Sequence, residues 1–366
     1  MKLTTSRESL LRPLQSVIGV VERRQTMPIL ANVLLAVNDG ELSLTATDLE
    51  VELVAKSAVD KVDSSGEITV PGRKFLEICR ALPEESKVSL QLDGDRVVLK
   101  SGRSRFVLST LPAADFPVVD DIDARHQIRL AQNDVRRLLD KTHFAMAQQD
   151  VRYYLNGLML ETGSGFVRAV ATDGHRLALC TVSVDDQPAG TQQVIIPRKG
   201  VLELQRLLGG SEEVELGIGP NHIRAHVGDI RFTSKLIDGR FPDYERVIPA
   251  PEGNVLKASR DALRQALQRA SILSNEKYRG IRLDLANQRL SLQANNPDQE
   301  EAHDELEVDY SGDEMEIGFN VNYLLDALAA VDAEEVEVGF VDPNSSCLIH
   351  GPDSENAEYV VMPMRL

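Results

Sequence analysis

The chain has 366 residues, 42% of them hydrophobic, and carries 40 Lys/Arg against 57 Asp/Glu for a net charge of −17. That length suits two or three domains with real cores, and the interspersed charge excludes long disorder. Three scattered cysteines, Cys79, Cys180 and Cys347, argue against a disulfide framework and a zinc site.

Met1-Lys2-Leu3-Thr4 lacks the apolar stretch of a signal peptide, and no apolar run is long enough to span a bilayer. The expected location is therefore cytoplasmic. A net charge this negative speaks against nucleic-acid binding unless the basic residues are segregated.

In chain order, a short strand from Lys2 to Thr5 leads into a helix over 6–21. The turn Asn38-Asp39-Gly40 then precedes alternating Leu42, Leu44 and Ala46, a hairpin signal. A second helix covers 73–82, and strands finish the segment around Asp93-Gly94. The pattern restarts with a strand from His126 to Leu130 and a helix over 133–147, with Asn133 as N-cap and Val135, Leu138 and Leu139 on one face. A helix over 198–208 presents Val201, Leu204 and Leu208, and strands follow around Pro220-Asn221. A third round opens with Val255 to Ala258 and a helix over 259–273, with Ser259 as N-cap and Leu263, Leu267 and Ala270 on one face. It ends with a helix over 320–331, carrying Val321, Leu324, Leu325 and Leu328, and strands around Pro343-Asn344.

Short landmarks bind the three rounds together. Thr45-Ala46-Thr47-Asp48 is echoed by Val170-Ala171-Thr172-Asp173 and more faintly by Leu292-Gln293-Ala294-Asn295. Pro71-Gly72-Arg73-Lys74 is echoed by Pro197-Arg198-Lys199-Gly200 and faintly by Phe319-Asn320-Val321-Asn322. Arg105-Phe106-Val107, Arg231-Phe232-Thr233 and Glu358-Tyr359-Val360 close the rounds. The offset is about 125 residues throughout, far longer than a solenoid repeat. The reading is α+β: three tandem copies of a two-helix, multi-strand domain, at 1–124, 125–251 and 252–366.

Charge follows this organisation. The six predicted helices hold 14 Lys/Arg against 7 Asp/Glu, and the rest of the chain 26 against 50. Within helices the cations recur four or seven apart, on one face: Arg137 with Lys141, Arg260 with Arg264, Arg73 with Arg80, Lys199 with Arg206. A single such face is ordinarily a solvated one. Five of six helices sharing the bias suits loose, sequence-blind contact with phosphates.

Catalytic readings are weak. Asp173-Gly174-His175 could orient an imidazole, but Asp173 matches Asp48 of the first copy and reads as a turn device. His222 and His226 lie four apart on a predicted strand, roughly 13 Å, too far to share a metal. Glu300, Glu301 and Asp304 leave a metal-dependent nuclease open, although a solvated acidic loop accounts for them better. A scaffold that never touches DNA also stays open. No P-loop and no G-x-S-x-G elbow occurs.

From end to end the chain resembles the β sliding clamp family of bacterial DNA polymerase III. The stretches that carry the resemblance are Thr110-Leu111-Pro112-Ala113-Ala114-Asp115-Phe116-Pro117, Asp150-Val151-Arg152-Tyr153-Tyr154-Leu155-Asn156-Gly157, Ala171-Thr172-Asp173-Gly174-His175-Arg176-Leu177, Asp238-Gly239-Arg240-Phe241-Pro242-Asp243-Tyr244 and the terminal Tyr359-Val360-Val361-Met362-Pro363-Met364-Arg365-Leu366. The resemblance implies a non-enzymatic processivity factor without cofactor, metal or catalytic residue. It implies a head-to-tail homodimeric ring with helices lining a hole that holds duplex DNA. For DNA it implies Arg24, Arg73, Gln149, Tyr153, Tyr154, Arg198 and Lys199. For the subunit contact it implies Lys74, Arg96, Arg103, Arg105, Phe106 and Leu108 on one side, and Ile272, Leu273, Glu300, Glu301 and Asp304 on the other. It implies a cleft that captures short linear motifs of the polymerase α subunit, other polymerases, the clamp-loader δ subunit, mismatch-repair proteins and ligase. The matching cleft residues are Leu155, Thr172, Gly174, His175, Arg176, Leu177, Pro242, Val247, Asn320, Tyr323, Ser346, Val360, Met362, Pro363 and Met364. Asp304 stands where the family has Glu, and Tyr278 where it has Phe.

Overall fold

Hairpin chemistry and apolar alternation generate most of the chain. A computed structural model describes residues 1–21, 27–119, 121–184, 191–250, 253–352 and 356–365. The first copy runs β1 (Lys2–Ser6), α1 (Arg7–Val17), β2 (Asn32–Asn38), β3 (Glu41–Thr47), β4 (Val51–Ala58), β5 (Lys61–Ser64), β6 (Gly66–Pro71), α2 (Gly72–Ala81), β7 (Lys87–Asp93), β8 (Arg96–Ser101) and β9 (Ser104–Ser109). The second runs β10 (His126–Ala131), α3 (Gln132–Asp140), β11 (Gly157–Gly163), β12 (Phe166–Thr172), β13 (Arg176–Ser183), β14 (Gln192–Pro197), α4 (Arg198–Leu207), β15 (Glu213–Ile218), β16 (His222–Val227) and β17 (Ile230–Lys235). The third runs β18 (Val255–Ser259), α5 (Arg260–Ser271), β19 (Gly280–Ala286), β20 (Arg289–Asn295), β21 (Glu301–Glu307), β22 (Met315–Asn320), α6 (Val321–Ala330), β23 (Glu335–Gly339), β24 (Cys347–His350) and β25 (Ala357–Val361). The second and third copies share one order of elements, and β5 is the insertion of the first.

The α+β reading holds, and the turn chemistry explains the local pieces. Asp39 and Gly40 both take positive φ, 45° and 81°, as the two-residue β2–β3 hairpin requires. Leu42, Leu44 and Ala46 are buried as alternation predicts. The Ser259 side chain accepts from Ala262 N and caps α5, and Ser6 caps α1 in the same way through Ser9 N.

Three helix limits differ from expectation. α3 begins at Gln132, so Asn133 lies inside the helix rather than capping it; Gln132 Oε1 instead accepts from Gly210 N at 2.9 Å. α3 also stops at Asp140 rather than 147. There Thr142 folds its hydroxyl back on Leu138 O at 2.6 Å, and a 3-10 turn at His143–Ala145 follows. α1 ends at Val17 and passes into a 3-10 turn over Ile18–Val20.

The chain divides into two compact units, Met1–Val135 with Lys199–Leu236, and Arg136–Arg198 with Ile237–Leu366. The first unit holds a sheet ordered β5-β1-β7-β8-β9 and an eight-stranded sheet ordered β10-β15-β16-β17-β4-β3-β2-β6. The second holds an eight-stranded sheet ordered β14-β11-β12-β13-β25-β24-β23-β18 and a sheet ordered β21-β20-β19-β22. Each unit therefore joins parts of two copies by the same rule. The last strand of one copy pairs antiparallel with the third strand of the preceding copy's middle sheet: β17 with β4, and β25 with β13.

The basic helix faces do more than stay solvated. Several cations reach the carbonyl end of a neighbouring helix, where the helix dipole favours positive charge. Arg7 Nε donates to Cys79 O at 2.8 Å at the end of α2, and Arg206 Nη2 to Ser16 O in the last turn of α1. In the second unit Lys141 Nζ donates to Ala330 O and Arg260 Nη1 to Val331 O, both at the end of α6.

Candidate functional site

A single backbone device organises the site. At the β12–β13 turn, Asp173 Oδ1 accepts from the backbone N–H of His175 (2.9 Å) and of Arg176 (3.0 Å). Thr172 Oγ1 accepts from Gly174 N and donates to Arg176 O at 2.6 Å. The first copy repeats this at β3–β4 with Asp48, Thr47, Glu50 and Val51. The Asp173–His175 pair is thus a turn device, not a catalytic dyad. The third residue of the turn takes positive φ, 86° at Gly174 and 77° at Leu49. Gly174 alone is also crowded: a Cβ there would sit 2.9 Å from the Arg152 guanidinium.

Arg176 ties the turn to its surroundings. It donates to Asp173 Oδ2 (3.2 Å), to Asp326 Oδ2 of α6 and to Phe144 O (2.8 Å), and it lies over the Tyr323 ring at 4.5 Å. His175 stacks on the same Tyr323 ring. The terminal segment closes the edge, where Met362 N donates to His175 O at 2.9 Å and Met364 N to Gly318 O at 2.8 Å.

Between this turn and the segment 241–247 lies a cleft of about 230 Å³. Its floor is apolar and buried: Leu155, Leu177, Tyr244 and Val360 are each at most 5% exposed. Its rim includes Val247 and Met362, each about half exposed. Thr172, Gly174 and Ser346 supply small groups, and Pro242 adds to one wall. Of the residues predicted for the cleft, Leu155, Thr172, Gly174, Arg176, Leu177, Pro242, Val247, Ser346, Val360 and Met362 line this cavity. His175, Asn320, Tyr323, Pro363 and Met364 do not line it; Asn320 caps α6 by accepting from Asn322 N. Sequence reasoning missed Arg152, Asp243 and Tyr244, and placed Tyr154 only toward DNA. The Phe241-Pro242-Asp243-Tyr244 run was the available signal for two of them.

The floor distinguishes one junction from the other. Leu177 pairs in register with Val360, whereas the equivalent pair in the first unit is Glu52 with Thr233. Glu52 is 1% exposed, and its carboxylate accepts from Val119 N at 2.7 Å and from Arg231. Burial raises its pKa above the ordinary carboxylate value.

The residues implied for DNA divide. Arg24 lies outside the described residues. Arg73, Gln149 and Tyr153 are exposed, although Arg73 also donates to Val21 O at 2.7 Å. Tyr153 and Tyr154 meet edge to face, with ring centroids 5.8 Å apart. Lys199 is ion-paired with Asp48, so the two repeat landmarks meet within the first unit. Arg198 is half-buried beside β14.

The residues implied for the subunit contact lie on two edge strands and on elements beside them in sequence. Arg103 and Arg105 are exposed at the edge strand β9, with Arg96 on β8 and Lys74 on α2. Phe106 is half-buried, but Leu108 is only 8% exposed and belongs to the chain's own core. In the second unit the edge strand β21 carries Glu301 and Asp304, with Glu300 just before it. Asp304 is engaged by Arg269 at 2.7 Å, a hydrogen bond that holds its pKa below the usual range. Ile272 is 76% exposed at the end of α5, with Leu273 half-buried beside it. Among the described residues no cluster of His, Cys, Asp and Glu could hold a metal ion.

Comparison with known proteins agrees along the whole length. Family models for the N-terminal, central and C-terminal domains of the DNA polymerase III beta subunit match residues 1–120, 129–243 and 245–365. The chain is 54% identical to the beta sliding clamp of Escherichia coli K12, covering 100% of both chains. A crystal structure of the DNA polymerase III subunit beta from Pseudomonas aeruginosa superposes with a TM-score of 0.98 at 53% identity, covering 100% of both chains. A sliding clamp from the same organism bound to griselimycin superposes with a TM-score of 0.96 at 54% identity, again covering 100% of both.

Proposed function

The chain belongs to the DNA polymerase III beta subunit family and is a sliding clamp, a non-catalytic processivity factor of DNA replication, and we propose that it acts as a homodimer closed by pairing two of its sheet edges, β9 and β21. The observation that carries this is the junction rule. Within the chain, β17 pairs with β4 and β25 with β13. The same rule leaves the last strand of the first copy, β9, and the third middle strand of the third copy, β21, each at the edge of its sheet. Pairing β9 of one protomer with β21 of another repeats the internal junction, and two such heterologous contacts close a ring.

Charge fixes the orientation. Arg96, Arg103 and Arg105 flank one edge, while Glu300, Glu301, Glu305 and Glu307 flank the other. Opposite edges attract and like edges repel, which also blunts edge-to-edge aggregation. Ile272 and Phe106 supply apolar anchors.

The enclosed duplex is held by topology. Cations on the helices, with Arg73, Gln149, Tyr153 and the segment holding Arg24, make loose phosphate and base contacts that permit sliding. Opening falls to a separate ATP-driven loader. The cleft floored by Leu155, Leu177 and Val360 captures short motifs of the polymerase α subunit, other polymerases, the loader δ subunit, mismatch-repair proteins and ligase, in turn. The adaptable Met362 at its rim suits several partners. Griselimycin, bound by the Pseudomonas aeruginosa relative, occupies this cleft here. The work is done in the cytoplasm, at the nucleoid.

The test loads the protein onto circular DNA and measures retention before and after a single cut. Retention lost on cutting supports the ring. Retention unchanged by cutting refutes it.

A further inference from the structure

One wall of the cleft is a piece of chain with no stability of its own. Pro242, Asp243, Tyr244 and Val247 lie in or beside a four-residue 3-10 turn, Tyr244–Val247. So short a turn makes too few internal hydrogen bonds to hold a position by itself. Something must anchor it to the sheet.

The register of the second unit's large sheet provides the anchor. Ile195, Met159, Val170 and Leu179 form one cross-strand row over β14, β11, β12 and β13. Two residues along each strand, and so on the same face, Gln193, Glu161, Arg168 and Thr181 form a second row. The first row is apolar and the second is polar. Tyr244 spans both. Its ring packs with Met159, Val170 and Ile195. Its hydroxyl donates to Glu161 Oε2 at 2.6 Å and accepts from Arg168 Nη1 at 2.7 Å.

The polar row is otherwise satisfied from within. Gln193 Nε2 donates to Glu161 Oε1 at 2.8 Å, and Arg168 Nε donates to Thr181 Oγ1 at 3.0 Å. Arg168 also lies over the Phe166 ring at 4.9 Å and approaches Glu245. Glu161 and Tyr244 are only 6% and 5% exposed. A buried carboxylate with its partners fixed in geometry accepts a phenol at one place only. Burial, and then the neighbouring carboxylate, push the Tyr244 hydroxyl up to about 12, so it stays a donor at neutral pH.

We propose that Glu161 and Arg168, which do not line the cleft, are positioning residues that set its width through Tyr244. This rests on the reading of the cleft as the capture site. Tyr244 is a strut: its foot stands in the polar row, and its backbone carries the wall. The first unit lacks the device, because the corresponding row of its equivalent sheet places Ala36 opposite Ser43 where Glu161 faces Arg168.

The experiment titrates griselimycin into the full-length protein and into its Tyr244→Phe, Glu161→Gln and double variants, with thermal unfolding recorded for each. Each single change is expected to weaken griselimycin binding about three- to tenfold, the range of one buried hydrogen bond. The double variant should be no weaker than the worse single one, because both break one link. A purely stabilising role would lower the melting temperature and leave the Kd of the folded fraction unaltered, and that result overturns the proposal. Should Tyr244→Phe fail to fold, Glu161→Gln carries the test, since it keeps the size of the side chain and replaces the charged acceptor of the Tyr244 hydroxyl by a weaker neutral one. Val247→Asp, on the exposed wall, separates the two readings. If it abolishes binding while Tyr244→Phe and Glu161→Gln bind normally, the strut falls and the cleft stands. If Val247→Asp also binds normally, the cleft reading falls and the strut with it.

Discussion

Replacing Ile272 by Ala should dissociate the dimer and leave the protomer intact. Ile272 is 76% exposed at the end of α5. Ile→Ala removes three side-chain carbons, each worth about 0.8 kcal/mol when buried. If the contact covers the exposed three quarters of the residue, one contact loses about 2 kcal/mol. A ring closed head to tail contains the contact twice, so the dimer loses about 4 kcal/mol, roughly a thousandfold in its dissociation constant. The exposed position contributes little to the protomer, whose unfolding free energy should move by about 0.5 kcal/mol at most. Sedimentation velocity over a dilution series reads the dissociation constant, and circular dichroism reads the protomer. A variant that dissociates at the wild-type concentration would show that Ile272 meets no partner, and the β9–β21 closure would then lose one of its two apolar anchors.

Other outcomes follow from single sites. Gly174→Ala puts a Cβ at φ 86° and 2.9 Å from the Arg152 guanidinium; thermal unfolding should show a loss of about 1–2 kcal/mol, and an unchanged melting temperature would contradict the turn geometry. Glu52 has its pKa raised by burial. Its contribution is therefore fully present below the ordinary carboxylate pKa of 4.5 and is lost as pH rises through the folded-state value. Glu52→Gln should accordingly flatten the fall in stability from pH 4.5 toward neutrality, and a pH–melting curve parallel to wild type would refute it. Cys79 and Cys347 are buried, and burial pushes both thiols up to about 12. They should react with a disulfide reagent only at the rate of unfolding; rapid labelling of the native protein would show that the core opens without it.

Much of the architecture was legible because its causes are local. The β2–β3 hairpin follows from Asn38-Asp39-Gly40, the α5 cap from Ser259, and the threefold repeat from landmarks that recur near 125 residues. Equivalence with Asp48 correctly identified Asp173 as a turn device. The end of α3 was not legible. No Gly or Pro marks the stop after Asp140, yet Lys141 is drawn to Ala330 O and Asp332, and Phe144 packs on Tyr359. Those partners lie more than 180 residues away in sequence. Leu108, which the resemblance implies for a subunit contact, is only 8% exposed within the protomer, a burial that sequence spacing did not show.

By itself the sequence determined the elements, the copies and the segregation of charge, since each depends on residues within a few positions of one another or on simple recurrence. Only the tertiary structure decided which strand edges meet. β4 with β17 and β13 with β25 are pairings between strands about 180 residues apart. Alternating apolar strands are nearly interchangeable as partners, and register is set by the packing of whole faces. That register places Leu177 against Val360 to floor the cleft, and aligns Gln193, Glu161, Arg168 and Thr181 beneath Tyr244. No spacing along the chain announces either row, because the residues of each become neighbours only when the strands pair.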